Sequence, residues 1–374
     1  MKLKQLAYTP TLRRLAAACL LLQMAIAYPL WLGWERTFPM YGIWAVAYDP
    51  ATHKIFHSFF GGLVLAALIG LIARPQRKVT VATLGILTIG AALDLTRLQV
   101  WHWQWSMVLL LTLITQREAH LRTALRLMIV LIYTWSGLHK LNVHYFDFVW
   151  PYLTRELPSL QLPALAYGTA VAEILVGLLL IWPRTRRAGV WAATALHVSI
   201  IAALSPLWLS WNYVVLPWNA AMIAFVWLTC YPQVQPTASP WHRVTANRVV
   251  ILAFGLLPAL NYVGYCPESL ALKMYAGTNP DATLYVNSDE IECLPDMPEK
   301  FFGGTGYPRL IVDDWALGEL NVPAFATLAA YKAYGRYLCN CTAARDAGVD
   351  ILYVHPFDKE AGKWTNYDCR SLSE

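Results

Sequence analysis

Long unbroken apolar runs fill the first two thirds of the chain and stop near residue 265. Each run is close to the roughly 20 residues that cross a bilayer core. Nine can be drawn, at 15–34, 55–73, 79–96, 104–116, 124–142, 164–182, 189–205, 213–231 and 248–264. The fourth is short and is expected to extend at either end. Pro183, Pro206 and Pro217 stand near run ends, where proline is tolerated. The pattern predicts an all-α polytopic membrane bundle of about nine spans over residues 1–264.

From Cys266 the sequence turns mixed and globular. Ala282–Val286, Leu310–Val312 and Ile351–Val354 read as short strands. Pro323 is expected to open a helix running to about Leu338, because proline suits the first helical turn. A small α+β domain over residues 265–374 follows from this reading.

Composition agrees with the pattern. Only 14% of the 374 residues are charged and 57% are hydrophobic, whereas soluble domains carry about a quarter charged residues. The net charge of +6 is not gathered into a Lys/Arg stripe, so nucleic acid is not an expected partner. Instead the basic residues alternate between connections. Lys2, Lys4, Arg13 and Arg14 lie on one side, with Arg74, Arg77, Lys78, Arg117, Arg122, Arg126, Arg184, Arg186, Arg187, Arg243 and Arg248. Only Arg36, Lys54, Arg97, Lys140 and Arg155 fall on the other. The positive-inside rule then places the N-terminus in the cytoplasm, and an odd number of spans places the C-terminal domain outside. Trp101, Trp103, Trp105, Trp150, Trp208, Trp211 and Trp218 near outer span ends fit an aromatic belt. Ala25-Ile26-Ala27 resembles a cleavage site, but the apolar stretch runs on to Trp34, too long for a signal core. A retained first helix is expected.

Cysteine usage supports the same orientation. Cys19 and Cys230 lie in apolar runs and read as packing residues. Cys266, Cys293, Cys339, Cys341 and Cys369 all follow the last span, as disulfides in an oxidising compartment would. Two disulfides are expected, with Cys339 and Cys341 each pairing elsewhere.

Ionisable residues inside spans are costly, about 2.5–3.5 kcal/mol each on insertion scales. Glu173 and His197 lie near the middle of the sixth and seventh runs at similar depth. A Glu173–His197 hydrogen bond is therefore expected, as an interhelical clasp or as part of a proton path. Haem ligation by His197 with His57 is disfavoured because their depths differ. A second polar group gathers at outer span ends: His57, Asp94, Arg97, His102, His139, Lys140, Asn212 and Asn219. Lys140 reads either as a snorkelling lysine or as a desolvated base. Asp94 and Arg97, three apart, could pair on one helix face. No metal site is read.

The segment Tyr133-Thr-Trp-Ser-Gly137-Leu-His139-Lys140-Leu141-Asn142, with Tyr145-Phe146 after it, resembles vitamin K-dependent γ-carboxylase-like membrane proteins, including the horizontally transferred transmembrane (HTTM) group. Leu93-Asp94-Leu-Thr-Arg97 with Trp101-His102 resembles a second segment of that family. The resemblance implies a quinol-dependent carboxylase-like lyase. Its cofactor would be a vitamin K-type lipid quinol and its substrate a secreted peptide. Lys140 would be the base and His102 its anion-stabilising partner, with Asp94, Arg97, His139, Asn212 and His57 around the substrate or quinone. The Gly137-x-x-Lys140-Leu141 pattern is also similar to small DoxX/MauE-type membrane proteins, as is Gly318-Glu-Leu-Asn-Val-Pro323. That resemblance implies a non-enzymatic accessory protein serving a thiol–disulfide or electron-transfer partner, such as a thioredoxin-like protein.

Overall fold

The computed structural model describes residues 7–34, 36–49, 53–231, 245–286, 302–303, 309–341, 347–355 and 362–373. Among them, helices occupy all nine apolar runs: α1 Tyr8–Ile26, α2 Lys54–Ala73, α3 Arg77–Leu93, α4 Val100–Ile114, α5 Glu118–Lys140, α6 Pro163–Ile181, α7 Arg186–Leu204, α8 Val215–Cys230 and α9 Thr245–Val263. Five of these, α2, α5, α6, α7 and α9, are long and apolar enough to cross a membrane. α4 and α8 are shorter apolar helices.

By contact the chain forms two compact units. The first holds Met1–Gln23, Val64–Leu87 and Val100–Gly277; the second holds Met24–Leu63, Thr88–Gln99 and Thr278–Glu374. The expected boundary at 264/265 divides the chain by sequence. The contacts also gather residues 24–63 and 88–99 with the C-terminal region.

Helix α1 starts well before its apolar run, because Arg13 and Arg14 belong inside it. Both are satisfied by helix-end carbonyls: Arg13 donates to Pro75 O and Thr112 O, and Arg14 to Ile72 O, each at 3.0 Å. In α9 the Ile251–Leu256 turns widen to π-helix and the last turn, Leu260–Val263, tightens to a 3₁₀ turn.

The second unit contains a short antiparallel hairpin, β1 Met40–Tyr41 with β2 Ala47–Tyr48. It also contains an antiparallel five-stranded sheet in the order β4-β5-β3-β6-β7. The strands are β3 Asp281–Tyr285, β4 Phe302–Gly303, β5 Arg309–Ile311, β6 Gly348–Tyr353 and β7 Lys363–Asp368. Ala282 and Leu284 alternate with half-buried neighbours on β3 and are buried with Leu310, Val349 and Ile351. Helices α10 Val312–Leu320 and α11 Leu328–Cys341 pack on this sheet, and α12 Cys369–Ser373 ends it. The three expected strands are present, but α10, β4 and β7 had no readable periodicity. The helix expected to open at Pro323 starts instead at Leu328. Pro323 lies in an irregular stretch before the helix, where its carbonyl accepts from Gln99 Nε2 at 3.1 Å.

The Gly318–Pro323 motif now has a physical role. Glu319 accepts from the backbone N–H groups of Thr37 and Phe38, at 2.6 and 2.8 Å, and from Trp315 Nε1 at 2.9 Å. Asn321 ends α10 in the left-handed region, φ 57°. Phe38 then packs edge-on against Trp315 and Tyr334. One carboxylate thus ties the 24–63 segment to the C-terminal helices within this unit.

Of the expected disulfides, Cys339–Cys369 is formed, joining α11 to α12. Cys266 is free and buried, which corrects its place among the disulfide candidates. Its thiol lies against the chain at Pro267. Cys293 and the side chain of Cys341 lie outside the described residues.

Asp313, half-buried at the start of α10, accepts from Ala324 N at 3.0 Å. Loss of hydration, then the neighbouring Asp281 carboxylate, push its carboxyl from 3.8 up to about 7. A carboxyl raised in this way supports the fold while protonated. That contribution is complete below the unfolded value and is lost as pH rises through about 7. Thermal unfolding of the C-terminal sheet, followed by near-UV circular dichroism, should therefore weaken between about pH 4 and about pH 7. Asp313→Asn should flatten that slope. An unchanged slope would show that other groups carry it.

Candidate functional site

The first unit is organised by a close contact between α5 and α6. A Cβ on Gly137 would come within 2.5 Å of Ala170 O and 3.0 Å of Ile174 N. One on Gly177 would meet Val130 O at 3.0 Å. Small residues here let two backbones approach, as in membrane helix pairs generally. Side chains on a helix lean toward its N-terminus. Lys140, at the end of α5, therefore folds back toward Ser136 and faces α6.

There it meets Glu173. Lys140 Nζ donates to Oε1 and Oε2 of Glu173 at 2.9 and 2.8 Å, and to Ser136 Oγ at 2.9 Å. Both side chains are more than nine-tenths buried. This is a charge-paired, hydrogen-bonded arrangement, the form in which buried ions persist. The expected Glu173–His197 clasp is corrected: the Gly137 contact brings Lys140 to the glutamate first. His197 has partners of its own.

His197 on α7 lies between Asn219 on α8 and Tyr133 on α5. Asn219 Nδ2 donates to Val215 O at 2.8 Å, which leaves its Oδ1 facing the histidine. His197 Nδ1–H therefore donates to that oxygen at 2.7 Å, and His197 Nε2 accepts from the Tyr133 hydroxyl at 2.7 Å. The tautomer follows from the amide's orientation.

Both constellations line one cavity of about 330 Å³. Its polar wall carries Lys140, Glu173, Ser136, Tyr133, His197 and Asn219, with Thr169 and Thr154 nearby. The remaining wall is apolar and aromatic, including Trp150, Trp208, Trp218, Ile200, Leu204 and Met222. Pockets of this kind, mostly apolar with a few convergent polar groups, are where small ligands bind.

The other candidates are dispersed. His139 faces away from the cavity lining: its ring stacks between Trp135 and Tyr262, and Nε2–H donates to Ala271 O at 2.9 Å. Asn142 braces the same turn, donating to His139 O and Ala276 O. Asn212 donates to Tyr275 Oη at 2.7 Å, and Tyr275 lines the cavity although Asn212 does not. His102 is buried on α4 with its ring against Trp101, and is not among the cavity residues.

Asp94, Arg97 and His57 belong to the second unit. The helix-face pair of Asp94 and Arg97 is present but long, 4.0 Å. The nearer partner of Asp94 is Arg36 at 2.6 Å, a residue read from sequence only as a loop charge. Arg97 is fully buried. It donates to Leu30 O and Gly90 O, approaches His57 Nδ1 at 3.5 Å and lies over the Trp31 ring. Backbone carbonyls satisfy both guanidiniums, so this cluster reads as structural. Among the described residues no group of three or more His, Cys, Asp or Glu could hold a metal ion.

Because the Lys140–Glu173 pair is buried, removing one partner should be worse than removing both. Glu173→Ala strands an ammonium, and breaking such a pair costs about 3–5 kcal/mol. The double variant Lys140→Met/Glu173→Leu should melt close to wild type in detergent. A double variant as unstable as Glu173→Ala would remove the ion-pair account.

Residues 118–215 match the family of the methylamine utilisation protein MauE. The match begins with α5 and runs through α6 and α7, the helices carrying Lys140, Glu173 and His197. No curated protein and no solved structure matches the chain. The match and the five long apolar helices make this a multi-pass membrane protein, similar to the MauE family over the matched residues.

Proposed function

We propose that this protein is a membrane accessory component of a redox system, of the DoxX/MauE type. Its helical unit would hold a neutral lipid, such as a quinone, in the α5–α8 cavity. Its C-terminal unit would exchange electrons with a thioredoxin-like partner through Cys339 and Cys369. The observation that carries this reading is the coincidence of the MauE match with the three helices that carry Lys140, Glu173 and His197. The chemistry of the cavity agrees with a neutral ligand, since its buried charges already compensate one another. The partly exposed Cys339–Cys369 disulfide gives a thiol route. In this reading all nine helices cross the membrane, the N-terminus is cytoplasmic, and the disulfide faces an oxidising compartment.

The test is a redox titration of the purified protein. Structural disulfides in secreted proteins lie below about −300 mV, while exchanging ones are more oxidising. Cys339–Cys369 should titrate above that value, be reduced by thioredoxin, and be oxidised when alkylated directly in cells. A pair found as free thiols in cells, or one inert to thioredoxin, would sink the proposal.

One observation favours a second reading. Lys140 lines the cavity, as a base acting on a lipid quinol or a peptide carbon would need to. A carboxylase-like reaction requires the Glu173 pair to open, and His102 would have to act from outside the cavity lining. Lys140→Arg keeps the ion pair but gives no usable base. Near-normal quinol-dependent activity in a well-expressed Lys140→Arg protein would end the base role; loss of activity at normal membrane level would support it.

A further inference from the structure

The second unit leaves a compact apolar feature without a role. Residues 37–48 contain no Asp, Glu, Lys, Arg or His. They form the β1–β2 hairpin, whose tip carries Ile43, Trp44 and Val46 at 59%, 66% and 60% exposure. Its base, by contrast, is fixed. Ile43 N donates to Ala92 O at 3.0 Å, and Tyr48 Oη donates to Leu93 O at 2.8 Å. A Cβ on Gly42 would lie 3.0 Å from Leu93 O, so glycine lets the strand approach the end of α3. Ala45 closes the turn with its N–H on Gly42 O, at φ 59°. The exposed tip is therefore held in place, level with the last turn of α3.

We propose that this hairpin tip inserts into the bilayer at the boundary between headgroups and acyl chains, with lipid against Ile43, Trp44 and Val46. The argument is continuity with a lipid-facing surface. Ile89, one turn back on α3, is exposed. Ile55 and Phe59, in the first turns of α2, are 87% and 72% exposed, and α2 is long and apolar enough to span. An exposed apolar patch of this kind marks a contact surface, and tryptophan favours the membrane interface. Unpaired backbone is excluded from the hydrocarbon core. A short turn with open N–H and C=O groups therefore sits at the boundary and not deeper. The occupant is lipid because the tip carries no charge, and its one polar side-chain group, the Trp44 indole N–H, suits the headgroup boundary.

Two footprinting reagents applied to the intact protein in phosphatidylethanolamine/phosphatidylglycerol liposomes test this. Hydroxyl radicals report water, and a membrane-partitioning diazirine reports lipid. Trp364 on β7 and Trp191 on α7, 54% and 55% exposed, serve as internal references. Trp44 should oxidise at least about five-fold more slowly than Trp364, as an interfacial residue shielded by lipid would. It should also take up carbene label to the level of Trp191. Oxidation of Trp44 at the Trp364 rate would place the tip in water and overturn the proposal. Protection from both reagents would mean that a protein covers the tip, and would overturn it equally.

Discussion

A lysine ammonium enclosed by apolar helices needs a carboxylate within hydrogen-bond reach, and the first unit is built around that requirement. Lys140 and Glu173 meet because Gly137 lets α5 and α6 touch at the backbone. With a larger residue at 137 the helices would part, and the lysine would have no partner at this depth. Gly137 and Lys140 are thus one device. The first sets the helix separation and the second uses it. The glutamate is costly alone in a span. Paired, it becomes the fixed wall of a cavity.

The same cavity contains a second, independent polar chain. Asn219 fixes its own amide on Val215 O, that amide fixes the His197 tautomer, and the histidine accepts from Tyr133. Every buried polar group in this chain has a partner, as buried networks require. A ligand entering the cavity would meet polar groups whose charges and tautomers are already set. Such a wall suits a neutral molecule, because an added charge would find no uncompensated counterpart.

Much of the helical layout was legible because hydropathy reports it directly, and all nine helices fall on apolar runs. Helix pairing was not legible. Glu173 and His197 lie at similar depth, yet depth says nothing about which faces meet. The Gly137 contact decides that, and glycine's effect on separation is visible only in three dimensions. In sequence Arg36 is only a charge between apolar runs, whereas it supplies the short ion pair to Asp94. Nothing in a linear pattern links residues 58 positions apart. The C-terminal strands rich in Val, Ile, Leu and Tyr were readable. β7, mostly exposed and polar, was not. Pro323 illustrates a local rule overridden by tertiary contact: its carbonyl is used by Gln99, so the helix starts five residues later.

The two halves of the functional reading stand on different parts of the chain. The MauE match lies wholly within the first unit, and so do the cavity, the Lys140–Glu173 pair and the His197 chain. The disulfide lies in the second unit, which Glu319 assembles from segments far apart in sequence. If the cavity holds a lipid as proposed, breaking the Lys140 pair would perturb its binding without touching the cysteines. Removing Cys339 or Cys369 would perturb the proposed thiol exchange without altering the cavity wall. If the protein couples a lipid redox carrier to a thiol partner, both lesions should abolish the coupled reaction while each spares the other half-reaction. A protein with only one of these activities would lose it to one lesion alone.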